Sequence, residues 1–296
     1  MATVEEIQDH LPMTDGFRLF YRCWRKRALV EHVIIALHGG GGHSGEFHIL
    51  GPHLSSEGNM VYAFDLRGFG NSQEEGIPRG DTRNFARHLQ DLDDAIRHVR
   101  KKHAGKRLVI LGYSLGGCYA LWYAAHYPDA LDGLVLAAPG IVIRTLSTRR
   151  YALLLALANL LTPRRLFDLS KSSFVKGRDL EHIEQLQQQD PLGTWQLSYG
   201  YLANIKKTLV DPALTHAAHI ATPTLILQGD TDQSALPHGA RRLHDSLRAT
   251  DKALHTFPNC DHTFYDVFTP VPSRMEPDPT HRAHVLSVID NWLKTH

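Results

Sequence analysis

A chain of 296 residues, 43% hydrophobic and 21% charged, can bury a large core without disulfides or metals. Its 32 lysines and arginines almost cancel its 31 aspartates and glutamates, so no long-range field favours nucleic acid or an anionic membrane surface as a partner. The three cysteines, Cys23, Cys118 and Cys260, are odd in number and widely spaced, which argues against a CxxC metal or redox site and a disulfide framework and points to reduced thiols in a cytoplasmic protein.

In chain order, residues 1–10 carry Glu5, Glu6 and Asp9 and lack the basic and apolar stretches of a secretory leader. Residues 11–24 alternate loosely and predict an antiparallel hairpin at a sheet edge. Short, nearly all-apolar runs follow at 33–37, 60–65, 108–111, 134–137, 224–228 and 253–257, as strands buried on both faces require. Between the second and third of these, Phe85, Leu89, Leu92, Ile96 and Val99 recur at steps of four and three, one face of an amphipathic helix. Strands alternating with helices imply an α/β fold with a mostly parallel sheet. The alternation stops at Pro139 and Gly140 and resumes at Thr222 and Pro223. Residues 1–140 and 222–296 are therefore the expected core, and residues 141–221 an inserted helical cap, too long for a plain connection. Within it, 151–161 is the longest apolar run of the chain, short of the ~20 residues that span a bilayer. Arg149, Arg150, Arg164 and Arg165 flank it. Two fates are open to this helix: dipping into a membrane interface, or packing over a pocket or the core. Trp195, Tyr199 and Tyr201 are candidate pocket-lining aromatics. Residues 269–280 contain four prolines and predict a surface loop before a closing helix over 281–292.

Open α/β sheets place their sites at strand ends, and the chemistry-bearing residues gather there. The run 108–111 leads into Gly112-Tyr-Ser-Leu-Gly116, Gly117 and a helical stretch at 118–126. A sharp strand-to-helix turn holds the serine in strained geometry, and glycines at 112 and 116 let neighbouring backbone pass close to it. The helix N-terminus beneath also favours negative charge at that point. A glycine-flanked serine alone says little; its strand-to-helix context makes Ser114 the candidate nucleophile. Serine needs a histidine base oriented by a carboxylate. The run 224–228 is followed by Gly229-Asp-Thr-Asp232, and 253–257 by Pro258-Asn-Cys-Asp-His262. His262 is the candidate base. Asp230 and Asp232 compete as the acid. Asp232 is preferred because the extra residues carry its side chain around the strand end, which leaves Asp230 to the turn. His244 and His255, on a predicted helix and strand, are read as structural. The run 33–37 ends in His38-Gly-Gly-Gly-Gly-His43, whose amides can face a developing oxyanion. Gly40, with Gly41 as the fallback, joins the Leu115 amide as the candidate oxyanion hole. No phosphate-binding helix start follows these glycines, and no H-E-x-x-H-type pattern assigns a metal to His38 or His43.

Together, His38-Gly-Gly, Asp65-Leu-Arg-Gly-Phe-Gly-Asn-Ser72, Gly112-Tyr-Ser-Leu-Gly-Gly117, Gly229-Asp-Thr-Asp232 and His262 resemble the α/β-hydrolase superfamily over most of the chain. His38-Gly-Gly-Gly-Gly-His-Ser-Gly45, Gln189-Asp-Pro-Leu192 and the overall spacing are similar to monoacylglycerol lipases and lysophospholipase-like hydrolases of bacteria and animals. The resemblance implies an α/β-hydrolase fold with a cap over the site. It also implies a serine hydrolase, free of cofactor and metal, that cleaves carboxylic esters through an acyl-enzyme, with monoacylglycerols or similar single-chain lipid esters as substrates. Peripheral membrane contact through the cap is implied as well. One departure is that Tyr113 and Leu115 stand where the family usually has His and Met. Leu115 still offers its amide, so the departure bears on substrate fit. A peptidase or amidase and a perhydrolase share the same triad, and a non-catalytic ligand receptor can retain it. An epoxide hydrolase or dehalogenase would need an aspartate in place of Ser114.

Overall fold

Alternating side-chain direction along short strands builds the centre of the molecule. The computed structural model describes residues 3–26, 30–144, 146, 148–171, 187–269 and 279–296. It begins with an antiparallel hairpin of β1 (Val4–Pro12) and β2 (Arg18–Lys26). The hairpin starts at Val4 rather than at residue 11, because the charges of this edge strand pair across it. Arg25 Nε donates to Glu5 Oε2 at 3.0 Å and Arg22 Nη1 to Glu6 Oε1 at 2.8 Å. Then follow β3 (His32–Leu37), α1 (Leu50–Ser56), β4 (Met60–Phe64), α2 (Arg87–Lys102), β5 (Arg107–Tyr113), α3 (Leu115–His126) and β6 (Gly133–Ala137). The inserted stretch supplies α4 (Arg149–Leu161), β7 (Leu166–Asp168), β8 (Gln196–Ser198), α5 (Tyr199–Ile205), a π-helical turn Lys206–Val210 and α6 (Ala213–Ala217). The chain closes with β9 (Thr224–Gly229), α7 (Pro237–Ser246), β10 (Lys252–Phe257) and α8 (Pro279–Thr295).

Eight strands share one sheet in the order β1-β2-β4-β3-β5-β6-β9-β10. β2 is antiparallel to β1 and β4, and all other pairs are parallel. Each apolar run of the sequence coincides with one of the parallel strands, and β3, β4, β6 and β9 are buried at every residue. Val33, Ile35 and Leu37 face the layer of α2, α3 and α7, while Ile34 and Ala36 face α1 and α8. Each fully buried Ile or Leu contributes about 1.5–3 kcal/mol of transfer free energy, so both faces of the sheet hold the fold together. Phe85 precedes α2 rather than opening it, and its ring stacks on Tyr119 of α3 at 6.1 Å.

The inserted stretch is divided in its packing. Tyr201, Leu202, Ile205, Leu209, Ala213 and Ala217 join the same apolar cluster as α3. α4 only touches it, through Leu155: none of its residues is buried, only Ala152, Leu155, Ala158 and Asn159 are half-covered, and Leu153 and Leu160 are 74% and 77% exposed. The reading in which this helix packs into the core is overturned, because it is apolar on nearly every side and only one narrow face meets protein. No helix among the described residues is long and apolar enough to cross a membrane. The proline-rich segment expected at 269–280 lies, for residues 270–278, outside the described ones. α8 starts at Pro279, where a missing N–H costs nothing.

Candidate active site

The turn between β5 and α3 sets the geometry of the site. Ser114 sits there with φ 54° and ψ −115°, in the left-handed half of the map where a non-glycine residue is strained. The fold over-determines this conformation. Ser114 N–H donates to Ala137 O at 2.8 Å, and its carbonyl accepts from Gly117 and Gly140, both at 3.1 Å. A side chain on Gly116 would place its Cβ 2.0 Å from Leu37 O, and one on Gly112 would meet Gly116 O at 2.5 Å. The two flanking glycines are therefore required by backbone crossing, as the pentapeptide spacing suggests.

Two strand ends bring the other predicted residues to Ser114. His262, in the loop after β10, has Nε2 3.0 Å from Ser114 Oγ and Nδ1 2.7 Å from Asp232 Oδ2. Asp232, in the loop after β9, is fully buried. Its Oδ1 accepts from the amides of Ser234 at 2.8 Å and Ala235 at 3.0 Å, and its Oδ2 from Gln228 Nε2 at 3.2 Å. Burial works against the carboxylate, but the His262 charge and hydrogen bond and the two amides outweigh it and lower the Asp232 pKa. An ionised Asp232 can only accept, so Nδ1 of His262 carries the proton and Nε2 is free to accept from Ser114. Asp230 stands apart from the imidazole: its amide bonds Phe257 O and its Oδ1 accepts from Cys260 N at 3.4 Å.

The glycine loop after β3 closes the other side. A Cβ on Gly39 would lie 3.4 Å from Ser114 Cβ, and one on Gly40 3.6 Å from Leu115 Cδ2. The amides of Gly40 and Leu115 donate to no protein acceptor among the described residues. Gly41, with φ +83°, instead offers its carbonyl to Thr194 N at 2.8 Å. Each loop histidine has partners of its own. His38 Nδ1 donates to Gly39 O at 2.8 Å and Nε2 accepts from Leu66 N at 3.0 Å, and burial pushes this ring down to about 4 despite nearby Asp65. His43 Nε2 pairs with Asp190 Oδ1 at 2.9 Å. His244 lies on α7 and His255 on β10. The cysteines are free and buried, and burial pushes Cys23 up to about 11 and Cys118 and Cys260 up to about 12, so no thiolate competes as a nucleophile.

Ser114 and His262 open into a cavity of about 220 Å³. Ile143, Leu146, Leu169, Leu197, Leu202 and Ile205 make its apolar wall, and Glu46, Asp190 and Thr194 its polar part. Trp195 lines it. Tyr201 is buried elsewhere with its hydroxyl 3.1 Å from that of Tyr119, and the Tyr199 ring packs on Phe167 at 5.9 Å. Three contributors were not foreseen from the sequence. Tyr113 backs His262, its hydroxyl donating to His262 O at 3.3 Å and its ring stacking on Phe268 at 4.8 Å. Glu46 and the His43–Asp190 pair are the others. The only signal for Glu46 was the single acid in the glycine- and histidine-rich loop 38–48.

A family model described as serine aminopeptidase, S33 (Hydrolase_4), matches residues 29–266. Mouse monoglyceride lipase is 28% identical over 289 residues, 96% of this chain and 89% of that one. The monoacylglycerol lipase of Mycolicibacterium smegmatis is 26% identical over 286 residues, 95% and 94% of the two chains. Among solved structures, a soluble variant of Saccharomyces cerevisiae monoglyceride lipase in complex with a substrate analog is similar with a TM-score of 0.81, over 100% of this chain and 96% of that one at 21% identity, which supports the fold. The chain belongs to the serine aminopeptidase, S33 (Hydrolase_4) family, has the α/β-hydrolase fold, and is similar to the monoglyceride lipases.

Proposed function

We propose that this protein hydrolyses single-chain lipid esters, monoacylglycerols or close analogues, through an acyl-enzyme on Ser114. The observation that carries the reading is the continuous relay from Ser114 Oγ to His262 Nε2 at 3.0 Å and from His262 Nδ1 to Asp232 Oδ2 at 2.7 Å. Ser114 Oγ bonds the ester carbonyl carbon and passes its proton to His262 Nε2. The amides of Gly40 and Leu115 take up the charge on the carbonyl oxygen. Collapse of the intermediate breaks the bond to the alcohol, which leaves with the proton from His262. Water, deprotonated by the same imidazole, then attacks the acyl-serine and releases the acid. Asp232 holds the imidazole tautomer and stabilises its cation. Neither metal nor cofactor enters any step.

The aliphatic wall of the cavity suits an acyl chain, and its small polar part an alcohol. Residues 141–221 serve as a lid in this reading, with the exposed apolar α4 as its contact with a membrane surface. Buried reduced thiols accord with a cytoplasmic protein that meets membranes peripherally. A fluorophosphonate probe tests the nucleophile: it should label the folded protein and fail on Ser114→Ala. Absence of labelling on the folded wild type would rule the mechanism out. Monoacylglycerols should then be cleaved faster than aminoacyl amides. The reverse order would favour a peptidase, the activity in the family's description.

A further inference from the structure

Two carboxyl groups of the cavity, Glu46 and Asp190, take no part in the relay, and Asp190 is paired with His43. Glu46 lies on the 3-10 turn Ser44–Phe47, lines the same cavity as Ser114, and is only 8% exposed. Its Oε2 accepts from Gly39 N–H at 2.8 Å. The carbonyl of the same residue accepts from His38 Nδ1 at 2.8 Å, so both polar groups of Gly39 are pinned, one from each side. A Cβ on Gly39 would lie 3.4 Å from Ser114 Cβ, and Gly39 precedes Gly40, whose amide has no protein acceptor among the described residues. Room for the carboxyl exists because position 42 carries no side chain: a Cβ there would lie 2.0 Å from Glu46 Oε1. Oε1 itself has no hydrogen-bond partner among the described residues.

Resting on the ester-hydrolase reading above, we propose that Glu46 is a positioning residue for the reaction, fixing Gly39 so that the Gly40 amide meets the oxyanion, and that it does so in its neutral form. The electrostatic reason is direct. A carboxylate beside the oxyanion loop would add a second negative charge where one must already develop in the transition state. Burial favours the neutral acid and pushes Glu46 up to about 7, against the Gly39 amide and His43 and with the support of Asp190 and Asp65. His43, Asp190 and Asp65 are the charged groups that face it. Glutamine reproduces the neutral form, with an oxygen for Gly39 N–H and an uncharged amide toward the cavity.

The test compares wild type, Glu46→Gln and Glu46→Ala in pH profiles of ester hydrolysis, each normalised to the sites titrated by a fluorophosphonate so that unfolded protein does not count. Glu46→Ala should lose kcat by ~10- to 100-fold with KM little changed, as misplacement of an oxyanion donor does. The wild type should lose kcat as pH rises through about 7, and Glu46→Gln should recover most of the alanine loss and lack that fall; a wild type without the fall overturns the neutral form. An Ala variant with wild-type kcat, or a Gln variant that keeps the wild-type alkaline fall, overturns the proposal. A wild type that takes the probe at Ser114 but cleaves no ester overturns the ester reading itself, a result distinct from either of these.

Discussion

At the scale of single residues, the site depends on which partner each polar atom holds. Asp232 divides its two oxygens: Oδ2 faces His262, while Oδ1 takes the amides of Ser234 and Ala235. In Asp232→Asn the remaining carbonyl oxygen can still serve those amides, but the amide nitrogen would face Nδ1 and favour the wrong imidazole tautomer. We expect kcat to fall about 10³- to 10⁴-fold while the thermal midpoint stays close to that of the wild type. Steady-state kinetics with calorimetry on the same preparation checks this, and comparable losses of rate and stability would contradict it. Ser114, Asp232 and His262 were legible in the sequence because each follows an apolar run at a strand end, a local signal. Glu46 was not, because its significance arises from Gly39, seven positions away in sequence but 2.8 Å away in space, and from the empty position at Gly42.

At the scale of elements, the central strands were legible because burial on both faces writes short all-apolar runs into the sequence, and α2 because burial on one face writes a period of 3.6. α4 was not settled by the same reasoning: a helix apolar on nearly all sides reads alike whether it lies in a core or on a surface. Its exposed row, Leu153, Leu154, Leu157, Leu160 and Leu161, is a large apolar surface to leave uncovered. If α4 docks on lipid, Leu153→Asp with Leu160→Asp should reduce sedimentation with phosphatidylcholine vesicles by about tenfold or more, each leucine adding about 1.5 kcal/mol or more when buried in an apolar phase. Hydrolysis of a water-soluble p-nitrophenyl ester should remain within about twofold, since surface changes seldom disturb a distant site. Unchanged vesicle binding would remove α4 from the membrane contact.

At the scale of the whole molecule, the inserted stretch is tied to the sheet by contacts that bracket the cavity. Thr194 N–H donates to Gly41 O at 2.8 Å, Ser198 Oγ to Asp81 Oδ1 at 2.7 Å, and His43 meets Asp190 at 2.9 Å. Burial opposes the charge on His43, yet the Asp190 hydrogen bond and charge, with Asp65, raise it above 6.5. Burial likewise opposes the Asp190 carboxylate, and the His43 bond lowers it below 3.8. The His43 contribution is complete below 6.5 and lost as pH rises through its raised value, and that of Asp190 is complete above 3.8 and lost as pH falls through its lowered value. The tie is therefore strongest between pH 3.8 and 6.5. A hydrogen bond to a charged group is worth about 1.5 kcal/mol or more, so His43→Ala should speed amide exchange in residues 187–198 about tenfold at pH 6. The two proteins should converge toward pH 9. An equal gap at both pH values would show that the ion pair is not what holds this segment.

The sequence by itself determined the α/β order of strands and helices, the elbow serine and the two strand-end partners, because these are written in local periodicity and in glycines that backbone crossing demands. The tertiary structure decided that Asp232 rather than Asp230 meets His262, that α4 lies open to solvent, and that Glu46 and Asp190, the partner of His43, border the cavity. These are contacts between segments far apart in the chain, and their geometry is fixed only when the sheet brings the segments together.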